Sequence, residues 1–157
     1  MNYWDRKTIR GQLDKKLMFL REFASAGMPQ SGWIRAMRDA LGISSLQLGN
    51  RAGIDQSRVS RLENAEKNGN LKISSLQKIA KGLGMQFVYG FVPAGSLEKM
   101  VNARAREIAT ERMKRLNGTM RLEKQGLSAE DQKKALEDMT EKLLVEQPKD
   151  FWDDNND

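Results

Sequence analysis

Residues 41–63 read LGISSLQLGNRAGIDQSRVSRLE, and two short helices joined by a glycine-containing turn account for that pattern. Ser44 is a favourable N-cap, and the helix it opens turns Leu48 inward until Gly53 breaks it. Asp55 stands at the cap of a second helix, Gln56 to Glu63, whose inward residues are Val59 and Leu62. Gln56, Ser57, Arg58 and Arg61 then face away from the core. Amide, hydroxyl and guanidinium groups on one helix face match the hydrogen-bonding edges of base pairs and the charge of phosphates.

Two helices so joined are a helix-turn-helix arrangement, whose second helix enters the major groove of DNA. In such a complex Gln56 pairs with adenine and Arg61 with guanine, with Ser57 and Arg58 in support. Ser44, Ser45, Arg51, Asn64 and Lys67 are expected on phosphates, where they set register.

The totals fit this reading and exclude others. A chain of 157 residues with 39% hydrophobic and 31% charged residues suits one helix-rich domain with appendages. It has no cysteine and no histidine, which removes disulfides, zinc sites and Ser-His or Cys-His nucleophile systems. No GxxxxGK[ST] or GxGxxG phosphate loop and no spaced carboxylate set appears. An enzyme is not expected, nor a metal or cofactor. The opening MNYWDRKTIRGQLDKK lacks a signal-peptide core, and no apolar run approaches the roughly 20 residues of a membrane helix. A cytoplasmic location without membrane contact is the expectation.

Charge is unevenly spread. Residues 1–93 hold 15 Lys and Arg against 7 Asp and Glu, residues 94–126 hold 8 against 4, and residues 127–157 hold 4 against 10. A basic front and an acidic tail suit a nucleic-acid binder whose other end meets a different partner, or two ordinary solvated helix faces.

Outward from the motif, residues 7–25 read as a helix with Ile9, Leu13, Leu17, Leu20 and Phe23 or Ala24 on one stripe. Ser31 is expected to cap a helix from Gly32 to Leu41, with Trp33 or Ile34, Met37 and Leu41 inward. Residues 64–72 read as a polar loop, and Ser74 as the cap of a helix closed by Gly84. Met85 to Val92, MQFVYGFV, is rich in aromatic and β-branched residues and reads as a strand stopped by Pro93. A lone strand leaves its backbone unpaired. Pairing of Phe87, Val88, Tyr89 and Phe91 with the same strand of a second copy would satisfy it. Ser96 caps a basic helix expected to run to Leu116, where Asn117-Gly118 interrupts it before a short piece at 120–124. Ser128 caps the last helix, with Leu136, Met139 and Leu143 on one face, and the FWDDNND end is expected to dock Phe151 and Trp152 onto a helix.

Residues 41–63 resemble the Cro/repressor (Xre-like) helix-turn-helix family, with a pattern near LGxSQxxLAxxAGVSxSxVSRLE. The matches are Leu41, Gly42, Ser44, Leu48, Gly53, Ser57, Val59, Ser60, Arg61, Leu62 and Glu63. Ser45 stands where Gln is common, and Gly49 where Ala is. The resemblance implies a mainly α protein with a five-helix Cro/repressor-like domain. The expected divisions are an N-terminal helix in 1–30, the DNA-binding domain with its strand in 31–93, and a helical C-terminal extension in 94–157. It also implies an ion pair between Arg38 and Glu63. A homodimer on double-stranded DNA with a palindromic operator is the expected assembly.

A narrower resemblance spans SGWIRAMRDALG, GLGMQFVYGFVP, SLEKMV and FWDD, and is to the family called mobile mystery protein A. Its members are encoded upstream of a Fic-domain protein, and Fic domains typically transfer AMP from ATP to a hydroxyl. This implies an autorepressing, antitoxin-like partner of a Fic protein, or alternatively a direct inhibitor of that protein with DNA binding secondary. Fic inhibitors resemble one another in a helical [ST]xxxE[GN]. Thr119 and Glu123 have its spacing while Lys124 departs from it, and an ordinary helical glutamate is the preferred account of the match.

Overall fold

The computed structural model describes residues 1–122 and 128–153. Among them are seven helices: α1 (Tyr3–Ala26), α2 (Trp33–Ala40), α3 (Ser45–Ala52), α4 (Gln56–Lys67), α5 (Ile73–Leu83), α6 (Leu97–Leu122) and α7 (Ala129–Glu146). None is long and apolar enough to cross a membrane. Two compact units share the chain, one of Leu20–Phe91 and one of Met1–Phe19 with Val92–Asp157.

In the Leu20–Phe91 unit, Ile34, Leu48, Ala52, Val59, Ile79 and Leu83 form a buried cluster contributed by α2, α3, α4 and α5. Half-buried Met37, Ile43, Ile54, Leu62, Leu71 and Leu76 surround it. Two glycines set how closely its helices approach. A Cβ at Gly82 of α5 would lie 2.9 Å from the Ala52 Cβ on α3, and one at Gly49 would lie 2.7 Å from the Ile54 carbonyl oxygen. The helix penalty of glycine, about 1 kcal/mol against alanine, is therefore offset by contact that a methyl group would prevent.

Several expected ends are displaced. Gly32, not Ser31, is the N-cap of α2, and Lys72, not Ser74, that of α5. Asp55 occupies the N-cap of α4 without a side-chain cap bond. Leu41 is 49% exposed rather than inward, because α2 ends at Ala40. Asn64 and Lys67 lie on α4, which outruns Glu63 by a turn, so the loop begins only at Asn68.

The expected strand is absent: no strand occurs among the described residues, and 85–92 is irregular. The Met85 N–H closes α5 by donating to the Ala80 carbonyl at 2.8 Å. Beyond it, Phe87, Val88, Tyr89 and Phe91 ladder with no other segment among the described residues. Composition favours a pleated chain here, but a strand exists only where a second segment supplies the other half of its hydrogen bonds.

In the other unit, Val101, Ala105, Ile108 and Ala109 of α6 pack with Leu143 of α7 and with Phe151. The small Ala105 and Ala109, both fully buried, bring α7 close. Phe151 docks, with Arg104 Nε donating to its carbonyl at 2.8 Å, while Trp152 stays 57% exposed, its ring edge-to-face with that of Phe151. Asp14 of α1 accepts from the Leu97 and Glu98 N–H groups at 2.8 and 3.3 Å, and Arg10 bonds Glu98 at 2.7 Å. This polar seam replaces the expected apolar stripe: Arg10 is the buried residue of α1, whereas Ile9, Leu13 and Phe23 are exposed. Helix α6 also runs through Asn117-Gly118 to Leu122. One glycine among good helix formers costs too little to stop a helix.

The glycine contacts separate two substitutions. Gly82→Ala should lower stability by about 1–3 kcal/mol through overpacking against Ala52. Gly11→Ala, at a site on α1 where a Cβ meets nothing within 4 Å, should raise it by up to about 1 kcal/mol. Urea unfolding followed by circular dichroism measures both, and equal effects would contradict the close approach.

Candidate nucleic-acid interface

Helix α4 has two opposed faces. Val59, Leu62, Glu63 and Glu66 turn inward; Gln56, Ser57, Arg58, Ser60, Arg61, Asn64 and Lys67 are exposed. Both inward carboxylates bond to α2. Glu63 Oε1 accepts from Arg38 Nε at 2.8 Å, with the two side chains only 9% and 14% exposed. Glu66 Oε2 accepts the Ile34 N–H at 2.9 Å and so caps the start of α2 from another helix. Such a carboxylate satisfies an orphan donor and favours the positive end of the helix dipole.

A second nitrogen of Arg38 bonds in the same region. Its Nη1 donates to the Ile43 carbonyl at 3.0 Å and meets Asp39 at 2.9 Å. The Glu63 hydrogen bond holds its pKa above the ordinary arginine value against the opposing effect of burial, and the charges of Glu63 and Asp39 add to the rise. By linkage, a raised pKa contributes stability that is complete below the unfolded value and lost only as pH climbs through the folded one. The arginine end of the pair thus stays charged throughout the neutral range.

Helix α3 begins with a reciprocal capping box. The Gln47 N–H donates to Ser44 Oγ at 3.1 Å, and the Ser44 N–H donates to Gln47 Oε1 at 2.8 Å. Next to it, Gln56 Nε2 donates to Ser45 Oγ at 3.1 Å. Ser45 thereby steadies the first side chain of α4, although it replaces the family's glutamine. On the opposite edge, Arg58 and Arg61 line a shallow open concavity of about 320 Å³ with Asn70, Lys72 and Ser75.

Gln56, Ser57, Arg58, Arg61, Asn64 and Lys67 share the exposed side of α4, Ser45 is bonded to Gln56, and Ser44 precedes Ser45 in the capping box of α3. Arg51, exposed on α3, has its guanidinium near Gly84, the C-cap of α5. Ser60, Asn70, Lys72 and Ser75 join the surface without having been singled out by sequence. Asn70, Lys72 and Ser75 lie up to nineteen residues from Gln56 and reach the site only through the turn between α4 and α5; spacing along one helix cannot show that. Phe87, Val88, Tyr89 and Phe91 lie outside this face. The side chain of Thr119 and all of Glu123 fall outside the described residues.

Electrostatically the division is sharp. The three cations of α4, Arg58, Arg61 and Lys67, point outward, and no carboxylate pairs with them among the described residues. Its two carboxylates are consumed on the inward side. The exposed face presents uncompensated positive charge to a polyanion.

Residues 34–89 match the family model HTH_3, described as Helix-turn-helix. No curated protein and no solved structure matches the chain. Helices α2 to α5 and the segment that follows them thus form a helix-turn-helix domain of the Xre/Cro type, a domain that points to DNA binding and transcription regulation.

Removing Arg38 alone leaves Glu63 buried without its counter-charge. Arg38→Met should cost about 3–5 kcal/mol, while Arg38→Met with Glu63→Leu should recover much of the loss. A double-mutant cycle in urea tests this, and additive losses would show that the two groups are not coupled.

Proposed function

We propose that the chain is a sequence-specific DNA-binding transcriptional regulator, acting as a homodimer on a palindromic operator and repressing its own promoter. The division of α4 carries this reading. Its carboxylates are turned into α2, and its amide, hydroxyl and guanidinium groups are left exposed as one surface. In this reading Gln56 keeps its Oε1 and second Nε2 hydrogen for adenine while Ser45 holds the first. Arg61 takes guanine, with Ser57 and Arg58 beside it. Ser44, Ser45, Arg51, Asn64 and Lys67 hold phosphates. Two copies brought together through 85–92 would place two α4 helices one helical turn apart.

The finer part of the proposal concerns a protein partner. Residues 94–157, with their acidic end, would bind a Fic-domain protein encoded alongside, and that binding would tune repression in an antitoxin-like way. This part rests on the resemblance of SGWIRAMRDALG, GLGMQFVYGFVP, SLEKMV and FWDD, and on the charge split of the chain. Co-expression with a neighbouring Fic gene and co-purification through 94–157 tests it separately from DNA binding.

For the DNA reading, the probe is duplex from the region upstream of the gene, narrowed by footprinting, with affinity followed by fluorescence anisotropy. Arg61→Ala should weaken binding by about 1–3 kcal/mol and relax discrimination at one base pair. Lys67→Ala should weaken all sequences alike and lower the slope of log K against log salt by about 1. An Arg61→Ala loss under about 0.5 kcal/mol would remove the recognition assignment.

A further inference from the structure

The Leu20–Phe91 unit holds an open, mainly apolar cavity of about 530 Å³, inside the range of roughly 300–1,000 Å³ common for small-molecule sites. Trp33 of α2 and Phe23 of α1 form one wall, their rings stacked 5.3 Å apart at 21°. Leu76, Ile79 and Leu83 of α5 form another. A flat ring extends an aromatic stack, and a chain of methylenes buries well against leucine and isoleucine. The charge of the lining is one-sided. Glu66 is its one ionisable residue, and no Lys or Arg pairs with that carboxylate among the described residues. Glu66 Oε2 accepts the Ile34 N–H at 2.9 Å, one bond of the roughly four that a carboxylate can accept. Ile34 follows Trp33 in the first turn of α2, so the carboxylate is fixed to the same turn that carries the aromatic wall.

We propose that the cavity binds a small organic cation, with an ammonium group on Glu66 and an apolar, ring-bearing body laid from the Trp33–Phe23 pair onto α5. The charge of the occupant follows from that of the lining. A carboxylate in an apolar wall loses hydration that one N–H does not replace, and a neutral or anionic body seated over it would remove more. An ammonium brings a counter-charge and three donors to that place. The apolar body follows from what else is there. Besides Glu66, the lining side chains offer two polar groups, the Trp33 indole N–H and the Gln86 amide. A sugar or a peptide backbone would therefore give up more hydrogen bonds to water than it regained. Nucleotides and phosphate esters are excluded by the carboxylate itself. The cavity thus takes the charge opposite to that favoured by the exposed side of α4, where Arg58, Arg61 and Lys67 face outward. Glu66→Gln isolates the charge, because the amide oxygen can still accept the Ile34 N–H.

The test uses the full chain, with Trp4→Phe and Trp152→Phe leaving Trp33 as the one tryptophan. Trp33 emission is followed at neutral pH as 6-phenylhexylamine, 6-phenylhexan-1-ol or 6-phenylhexanoate is added, three probes that share a body and differ in the charge of the head. Saturable binding of the amine is expected, about tenfold tighter than that of the alcohol, with the acid weakest. Glu66→Gln should bring the amine to the level of the alcohol while helical circular dichroism is kept. Ala80→Leu, which adds bulk to the lining, should weaken amine and alcohol alike. Equal affinities for the three heads on the unsubstituted cavity overturn the proposal, whatever the variants do. An amine preference that survives Glu66→Gln overturns it too, as does a Trp33 emission that answers to no probe. Emission that shifts with protein concentration alone, with amine binding lost as the chain dimerises, shows that a second copy covers the cavity; this overturns the proposal and leaves the homodimer reading intact.

Discussion

Helix α4 presents one face to solvent and is held by the other, and two carboxylates do the holding. Glu63 and Glu66, three residues apart and so neighbours on α4, reach opposite ends of α2: Glu66 the Ile34 N–H at its start, Glu63 the Arg38 guanidinium near its end. Arg38 carries the clamp onward to the Ile43 carbonyl, one residue before the capping box that opens α3. The backbone at Gly32 is shaped by the same contact. Its φ of 82° is a left-handed value that disfavours side chains, and a Cβ there would sit 2.7 Å from Glu66 Oε2. Helices α2, α3 and α4 are thus tied through a handful of directional bonds laid over a core of six buried apolar residues.

Apolar packing alone would serve that purpose poorly. Cores that keep only their volume and patterning lose uniqueness before they lose stability, and a rotation of α4 about its axis would change which of its side chains are exposed. A buried ion pair adds little net stability, because desolvation cancels much of its attraction. Its hydrogen bonds nevertheless have one geometry, so they specify the angle of α4 about its own axis. Drawing the carboxylates inward has a second effect, since the same bonds that orient the helix clear negative charge from its outward side.

The motif was legible because its signals are local. Ser44, Gly53, Asp55 and the spacing of Leu48, Val59 and Leu62 describe two helices within one short stretch, and 34–89 matches a helix-turn-helix model. Arg38 and Glu63 stand where the family pairs them, and they lie 2.8 Å apart. The features that escaped are made between distant elements. Glu66 looks like a solvated surface charge until α2 is laid beside it, and Asp14 looks like one until the start of α6 is. Neither residue has a neighbour in sequence that announces its role. At Asn117-Gly118 a local breaker signal was outweighed by the helix formers around it. At Met85–Val92 composition described side chains suited to a sheet, but pairing depends on a second backbone that the composition of one segment cannot reveal.

One side chain links the DNA-facing helix to the apolar cavity. Glu66 belongs to α4, caps α2 and lines the cavity together with Ile34 and Met37 of α2. The bond that ties α4 to the start of α2 therefore forms part of the wall of that cavity, so one side chain belongs at once to the polar contact between two helices and to the apolar surface beside it.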